Sequence, residues 1–126
     1  MAIRFKQGIK ATLDVNKEDL PAVGSGVTYK AAIYNKSMNL RYVANAPTEP
    51  VTGILRFEWP HGVTVNGQGK NIPDTSVKNG TASMKCGTYE LEIFASDKSF
   101  ITEGNPKVEV VESNILADNN ADASNS

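Results

Sequence analysis

Gly87-Thr88-Tyr89-Glu90-Leu91-Glu92-Ile93-Phe94 is the stretch whose reading decides the fold. Tyr89, Leu91 and Ile93 alternate with Glu90 and Glu92. A period of two sends the first set to one face of a strand and the second set to the other. One apolar face beside one polar face describes a half-buried antiparallel strand. The same alternation recurs outward from it. Leu55, Phe57 and Trp59 alternate with Arg56 and Glu58. Val27, Tyr29, Ala31 and Ile33 alternate with Thr28, Lys30, Ala32 and Tyr34. Ala11, Leu13 and Val15 alternate with Thr12 and Asp14, and Val108 and Val110 with Lys107 and Glu109. Shorter strand candidates are Ile3–Phe5, Arg41–Ala44, Val63–Val65 and Phe100–Thr102.

Turn chemistry separates these runs. Gly24-Ser25-Gly26 precedes one, Pro47 to Pro50 divides two, and Pro60-His61-Gly62 closes another. Asn66-Gly67 and Asn79-Gly80 are turn dipeptides. Asp97-Lys98 fits a hairpin loop between Phe94 and Phe100. Asn16 to Leu20 reads as one helical turn or a loop, stopped by Pro21. Seven to nine short strands at spacings near ten residues predict an all-β fold. A two-sheet sandwich and a small closed barrel are both compatible with that spacing.

The chain has 126 residues, 40% hydrophobic and 21% charged, which suits one domain with its own core. No run approaches the roughly 20 apolar residues of a membrane-spanning helix. Met1 to Phe5 leads into strand-like sequence with no signal-peptide pattern, so no membrane partner is expected. A net charge of -1 argues against nucleic-acid binding through phosphate contacts. One cysteine excludes an internal disulfide and a cysteine-rich metal site, and it suits synthesis in a reducing compartment. From Ala117 the sequence reads ADNNADASNS, without a large apolar residue or a period. Such a segment cannot bury enough surface to offset its ordering entropy. The expected division is therefore a sandwich over 1–115 and a flexible acidic tail over 116–126.

Few residues suggest chemistry. His61, the only histidine, sits at a strand end without a recognisable orienting partner or nucleophile. Cys86 follows Lys85, which could lower a thiol pKa, but no second cysteine or histidine motif accompanies it. Glu90 and Glu92 fall on the solvated face, suited to pairing with a lysine across the sheet. Asn66-Gly67-Gln68-Gly69-Lys70 lacks the following helix and the Lys-Ser/Thr ending of a phosphate loop, and reads as a mobile contact loop. Asn35-Lys36-Ser37 and Asn79-Gly80-Thr81 match the glycosylation pattern at about the chance rate for so Asn-rich a chain. No catalytic, metal or cofactor site is expected.

The stretch Thr81 to Phe94 also carries a resemblance. Gly87-x-Tyr89 leads into an alternating strand, as at the corner of immunoglobulin-like sandwiches, where the tyrosine ties a loop to the strand. Together with Lys6-Gln7-Gly8, the order of the middle strands and the closing Val108–Val111 strand, this resembles the small immunoglobulin-like β-sandwich modules of tailed-phage virions. The resemblance covers most of residues 3–113 as a strand plan. It implies an antiparallel sandwich and a non-catalytic virion structural protein, assembled in the host bacterial cytoplasm. Such a protein docks onto other virion subunits as capsid decoration or as a tail or baseplate accessory, and could form a homo-oligomer. The expected contacts are Asn66, Gln68 and Lys70, the Pro47–Pro50 loop, Met1 to Phe5, and the tail with Asp118. The alternative is a carbohydrate-binding or host-adhesion module, which needs neighbouring exposed aromatics. Tyr34, Tyr42 and Phe94 are its candidates on a host-surface glycan. A small enzyme would instead need His61 in a pocket with a carboxylate or Cys86.

Overall fold

Alternating segments become strands because each must pair its backbone and bury one face. The computed structural model describes residues 3–116. Its strands are β1 (Ile3–Lys6), β2 (Ala11–Asn16), β3 (Tyr29–Asn35), β4 (Leu40–Val43), β5 (Thr48–Val51), β6 (Ile54–Trp59), β7 (Val63–Val65), β8 (Asn71–Pro73), β9 (Gly87–Ala95) and β10 (Lys107–Val111). Two 3-10 turns, Lys17–Asp19 and Thr81–Ser83, are the helical pieces among the described residues. The first is the turn expected between Asn16 and Pro21.

The strands form a five-stranded sheet in the order β1-β10-β9-β3-β4 and a three-stranded sheet in the order β2-β6-β5. Hairpin β7-β8 stands beside them. One apolar cluster joins the two sheets, so the fold is an all-β sandwich rather than a closed barrel. The five-stranded sheet contributes Phe5, Tyr29, Ala31, Ile33, Tyr89, Leu91, Ile93, Val108 and Val110. The three-stranded sheet contributes Ala11, Leu55, Phe57 and Trp59. Phe5 and Trp59 meet across the core with ring centroids 4.9 Å apart. A buried indole N–H needs an acceptor. Trp59 Nε1 donates to the Tyr42 carbonyl at 3.0 Å and so links the sheets.

Tyr89 performs the corner role its position suggested. Its hydroxyl donates to the Lys85 carbonyl, four residues back. At the same end of the sandwich, Thr81 is fully buried yet satisfied. Its Oγ1 accepts from the Gly8 amide at 3.1 Å and donates to the Ile9 carbonyl at 2.8 Å. Gln7 Nε2 donates to the Met84 carbonyl, and the Ser113 hydroxyl donates to the Gln7 carbonyl. Lys6-Gln7-Gly8 is therefore a clasp between the first strand, the corner and the end of the domain. Gly8 has a φ of 83°, and a Cβ there would lie 2.6 Å from Ile115 Cγ2, so both backbone and space demand glycine.

Several expectations need correction. The sheets are antiparallel except that β1 runs parallel to β10, pairing Ile3 with Val108 through Lys6 with Val111. These strands are the first and last of the described chain, and no hairpin constrains their direction. Pro47 to Pro50 is not simply a loop, because Thr48–Val51 is an edge strand with an irregular register against β6. Edge positions tolerate proline because one side of the strand needs no donor. Asn71–Pro73 is likewise a strand. Tyr29, not Val27, starts β3, because the Val27 amide closes a turn onto the Gly24 carbonyl. Phe100–Thr102 yields one bridge, between Ile101 and Phe94. Leu116, assigned to the tail, is 5% exposed, so packing reaches at least that residue. The rest of the expected tail, 117–126 with Asp118, and Met1 and Ala2 lie outside the described residues.

Candidate docking surface

The outer face of the five-stranded sheet is set by the residues that alternate away from the core. Register aligns Lys30 with Phe94, Ala32 with Glu92, and Tyr34 with Glu90. It also aligns Tyr34 with Arg41 and Ala32 with Val43. Ala32 is fully covered although it faces outward, because Val43 and Glu92 flank it on either side. Small alanine here leaves a trough between taller neighbours. The resulting groove, ≈ 530 Å³, is lined by Lys30, Arg41, Val43, Glu92, Phe94 and the β9 hairpin with Lys98 and Ile101.

The Arg41 guanidinium lies 4.8 Å from the Phe94 ring centroid, a cation–π contact. Among the described residues, Lys30, Arg41 and Lys98 take part in no ion pair, and Glu92 is the one acid in the groove lining. The groove is thus cationic, with an aromatic floor and an apolar wall. Ile101 on that wall is 53% exposed.

Farther along the face, the expected cross-sheet pairing is present. Glu90 meets Lys107 at 3.4 Å and accepts from the Tyr34 hydroxyl at 3.3 Å. Partial burial, followed by the charges of Glu90 and Glu92, pushes the Tyr34 phenol above its ordinary pKa. The hydroxyl therefore stays protonated and donating.

Tyr34 and Tyr42 do not share a surface. Tyr42 pairs with Ile33 and turns to the core, where its ring centroid lies 5.7 Å from that of Tyr89. Its hydroxyl accepts from the Lys85 amide at 3.1 Å. Tyr34 and Phe94 do lie on the outer face, with Arg41 between the two as a covering cation.

Asn66, Gln68 and Lys70 sit at the tip of hairpin β7-β8. The tip is an ordered turn rather than a slack loop. Asn66 Oδ1 accepts from the Gln68 and Lys70 amides at 2.8 and 3.0 Å, and the Asn66 amide donates to the Lys70 carbonyl. This holds the Gln68 side chain out in solvent.

His61 is engaged locally, since its Nδ1 accepts from the Val63 amide at 2.9 Å. Cys86 is exposed, and partial desolvation followed by the charge of Glu112 raises its thiol pKa. The lowering expected from Lys85 is overturned, and such a thiol is a poor nucleophile at neutral pH. Among the described residues, no three His, Cys, Asp or Glu side chains gather into a group able to hold a metal ion. No helix there is long and apolar enough to cross a membrane.

Arg41, Lys30 and Lys98 escaped the sequence reading. Phe94 was visible as an outward aromatic, but only the registers of β3 with β4 and β9 bring the cations to it. No protein-family model matches the chain, and no curated protein or solved structure is significantly similar to it.

Proposed function

We propose that this chain is a non-catalytic docking module: an immunoglobulin-like sandwich that attaches to other subunits of a tailed-phage virion, as capsid decoration or as a tail or baseplate accessory. The immunoglobulin-like part is supported by the division into five- and three-stranded sheets and by the Tyr89 corner. The virion part rests on the resemblance of the strand plan. The observation that carries docking is the groove on the outer sheet face. It combines an arginine and an aromatic ring, residue types enriched at interfaces, with two further cations and an exposed isoleucine.

The glycan-binding alternative needs adjacent exposed rings. Tyr42 lies on the core side and Arg41 covers Phe94, which leaves Tyr34 alone for stacking. Sedimentation of tagged chain with purified virions tests the docking reading. Wild-type chain is expected in the virion fraction, and Arg41→Ala with Phe94→Ala is expected to lose at least about tenfold of it, since each residue of this kind is worth about 1–2 kcal/mol. A wild-type chain that never co-sediments, or a double variant that co-sediments like wild type, defeats it.

A further inference from the structure

Besides the short hairpin β7-β8, whose strands have three residues each, the two sheets of the sandwich have four edge strands with a single hydrogen-bonded neighbour: β1 and β4 in one, β2 and β5 in the other. Open edges expose backbone donors and acceptors, and proteins blunt them with short length, cations, proline or bulges. Three of the four are blunted. β1 has four residues including exposed Arg4 and Lys6. β4 has four residues including Arg41. β5 has four residues, Pro50 and an irregular register. By contrast, β2 has six residues, pairs regularly with β6 from Ala11↔Trp59 to Asn16↔Ile54, and contains neither proline nor cation.

The direction of its backbone groups follows from the ladder. The Lys17 amide donates to the Gly53 carbonyl, one step beyond Asn16↔Ile54. Hydrogen-bonded pairs alternate in an antiparallel ladder. Ala11, Leu13 and Val15 therefore bond to β6, and Thr12, Asp14 and Asn16 turn their N–H and C=O groups to the open edge. The Glu58 carbonyl fits this alternation: opposite Thr12, it faces away from β2 and accepts from Asn45. Leu13 and Val15 pack against the core but are only partly covered, as expected beside a missing neighbour.

We infer that β2 pairs antiparallel with β2 of a second copy, around a two-fold axis through Leu13. Cross-strand partners must share a face, so the axis passes through a residue. An axis through Asp14 would oppose two carboxylates, which destabilises a pair. An axis through Thr12 would recruit Ile9 and Lys10, which lie outside the strand, and Lys10 already meets Glu58. The Leu13 axis sets Leu13 against Leu13 and Ala11 against Val15 on the core side, and Thr12 against Asp14 outside, with no like charges opposed. The edge-facing backbone groups of Thr12 then meet those of Asp14. The two three-stranded sheets become one continuous six-stranded sheet. A ladder this short falls below a standard interface, so the dimer is weak. The pairing does not rest on the virion reading: it survives if the chain is absent from virions, and fails only on its own tests.

Two measurements on the full chain decide it. In analytical ultracentrifugation up to about 1 mM, wild type is expected to dimerise with rising concentration. Thr12→Pro, which removes an edge-facing donor without touching the β6 ladder, is expected to stay monomeric with an unchanged circular dichroism spectrum. In a Cys86→Ser background, Leu13→Cys is expected to form a disulfide dimer on mild oxidation, because facing residues at a non-hydrogen-bonded pair lie about 4.5 Å apart between Cα atoms. Val15→Cys is expected to remain largely uncrosslinked. A wild-type monomer at 1 mM, a folded Thr12→Pro that still dimerises, or equal crosslinking at both positions overturns the inference.

Discussion

The two faces of β9 carry opposite kinds of information. Tyr89, Leu91 and Ile93 point inward, where each is nearly sealed from water; Leu91 and Ile93 meet β3 in register and Tyr89 meets Val108 of β10. Glu90, Glu92 and Phe94 point outward into salt links and the Arg41 groove. Inward residues are constrained by volume, because a packed core tolerates neither cavities nor excess. Outward residues are constrained only by what they touch from outside. The contrast teaches that core packing and surface contacts are separable on one strand, and substitutions on the two sides should behave differently.

The largest effect is expected from Leu91→Ala. It removes a nearly buried side chain between the sheets and should cost about 2–5 kcal/mol in denaturant titration. A loss below about 1 kcal/mol would break the division between the faces. Next is Tyr89→Phe, which keeps the ring and deletes the corner bond to Lys85; equilibrium unfolding should register a loss of about 1 kcal/mol. Outward, Arg41→Ala should change stability by less than about 0.5 kcal/mol, because the cation–π contact is solvent-facing, while partner attachment weakens. Equal losses of stability from Arg41→Ala and Leu91→Ala would erase the comparison.

The smallest effect concerns acid. The Arg56 guanidinium, bonded to both oxygens of Asp14, holds that carboxyl below its ordinary 3.8. The Gly53 amide, then Lys17, hold Glu49 below its ordinary 4.5. Carboxyls with depressed folded pKa values contribute stability above their unfolded values and lose it as pH falls through the folded ones. Melting temperature should therefore be level from neutrality to about pH 5 and decline below about pH 4. Asp14→Asn should make that decline shallower. An unchanged slope in the variant would show that the Asp14–Arg56 pair carries no linked stability.

Much of the inward side was legible in the sequence. Leu55-Phe57-Trp59 and Tyr89-Leu91-Ile93 alternate cleanly, and burial follows that alternation residue by residue. The Tyr89 corner was legible too, because it is local: hydroxyl and acceptor lie four residues apart. Strands β5 and β8 were not, since Pro50 and Pro73 read as breakers when the edge status that tolerates them is a tertiary fact. Nor was the parallel β1–β10 pair, whose members lie at opposite ends of the described chain. The groove was the least legible feature. Arg41-Tyr42-Val43 offers no clear apolar face, so only pairing with Ile33 and Tyr34 decides that Tyr42 goes inward and Arg41 outward. Lys98 reaches the groove through the β9 hairpin, which no local period encodes.

The proposal that the outward face docks onto virion subunits is tested most directly by cryo-electron microscopy of virions assembled in cells that make this chain. The account predicts the sandwich bound in the particle, with partner density against Arg41, Phe94 and Ile101. A bound sandwich whose five-stranded outer face is open to solvent, with the partner held elsewhere, would contradict it, and so would particles that lack the chain.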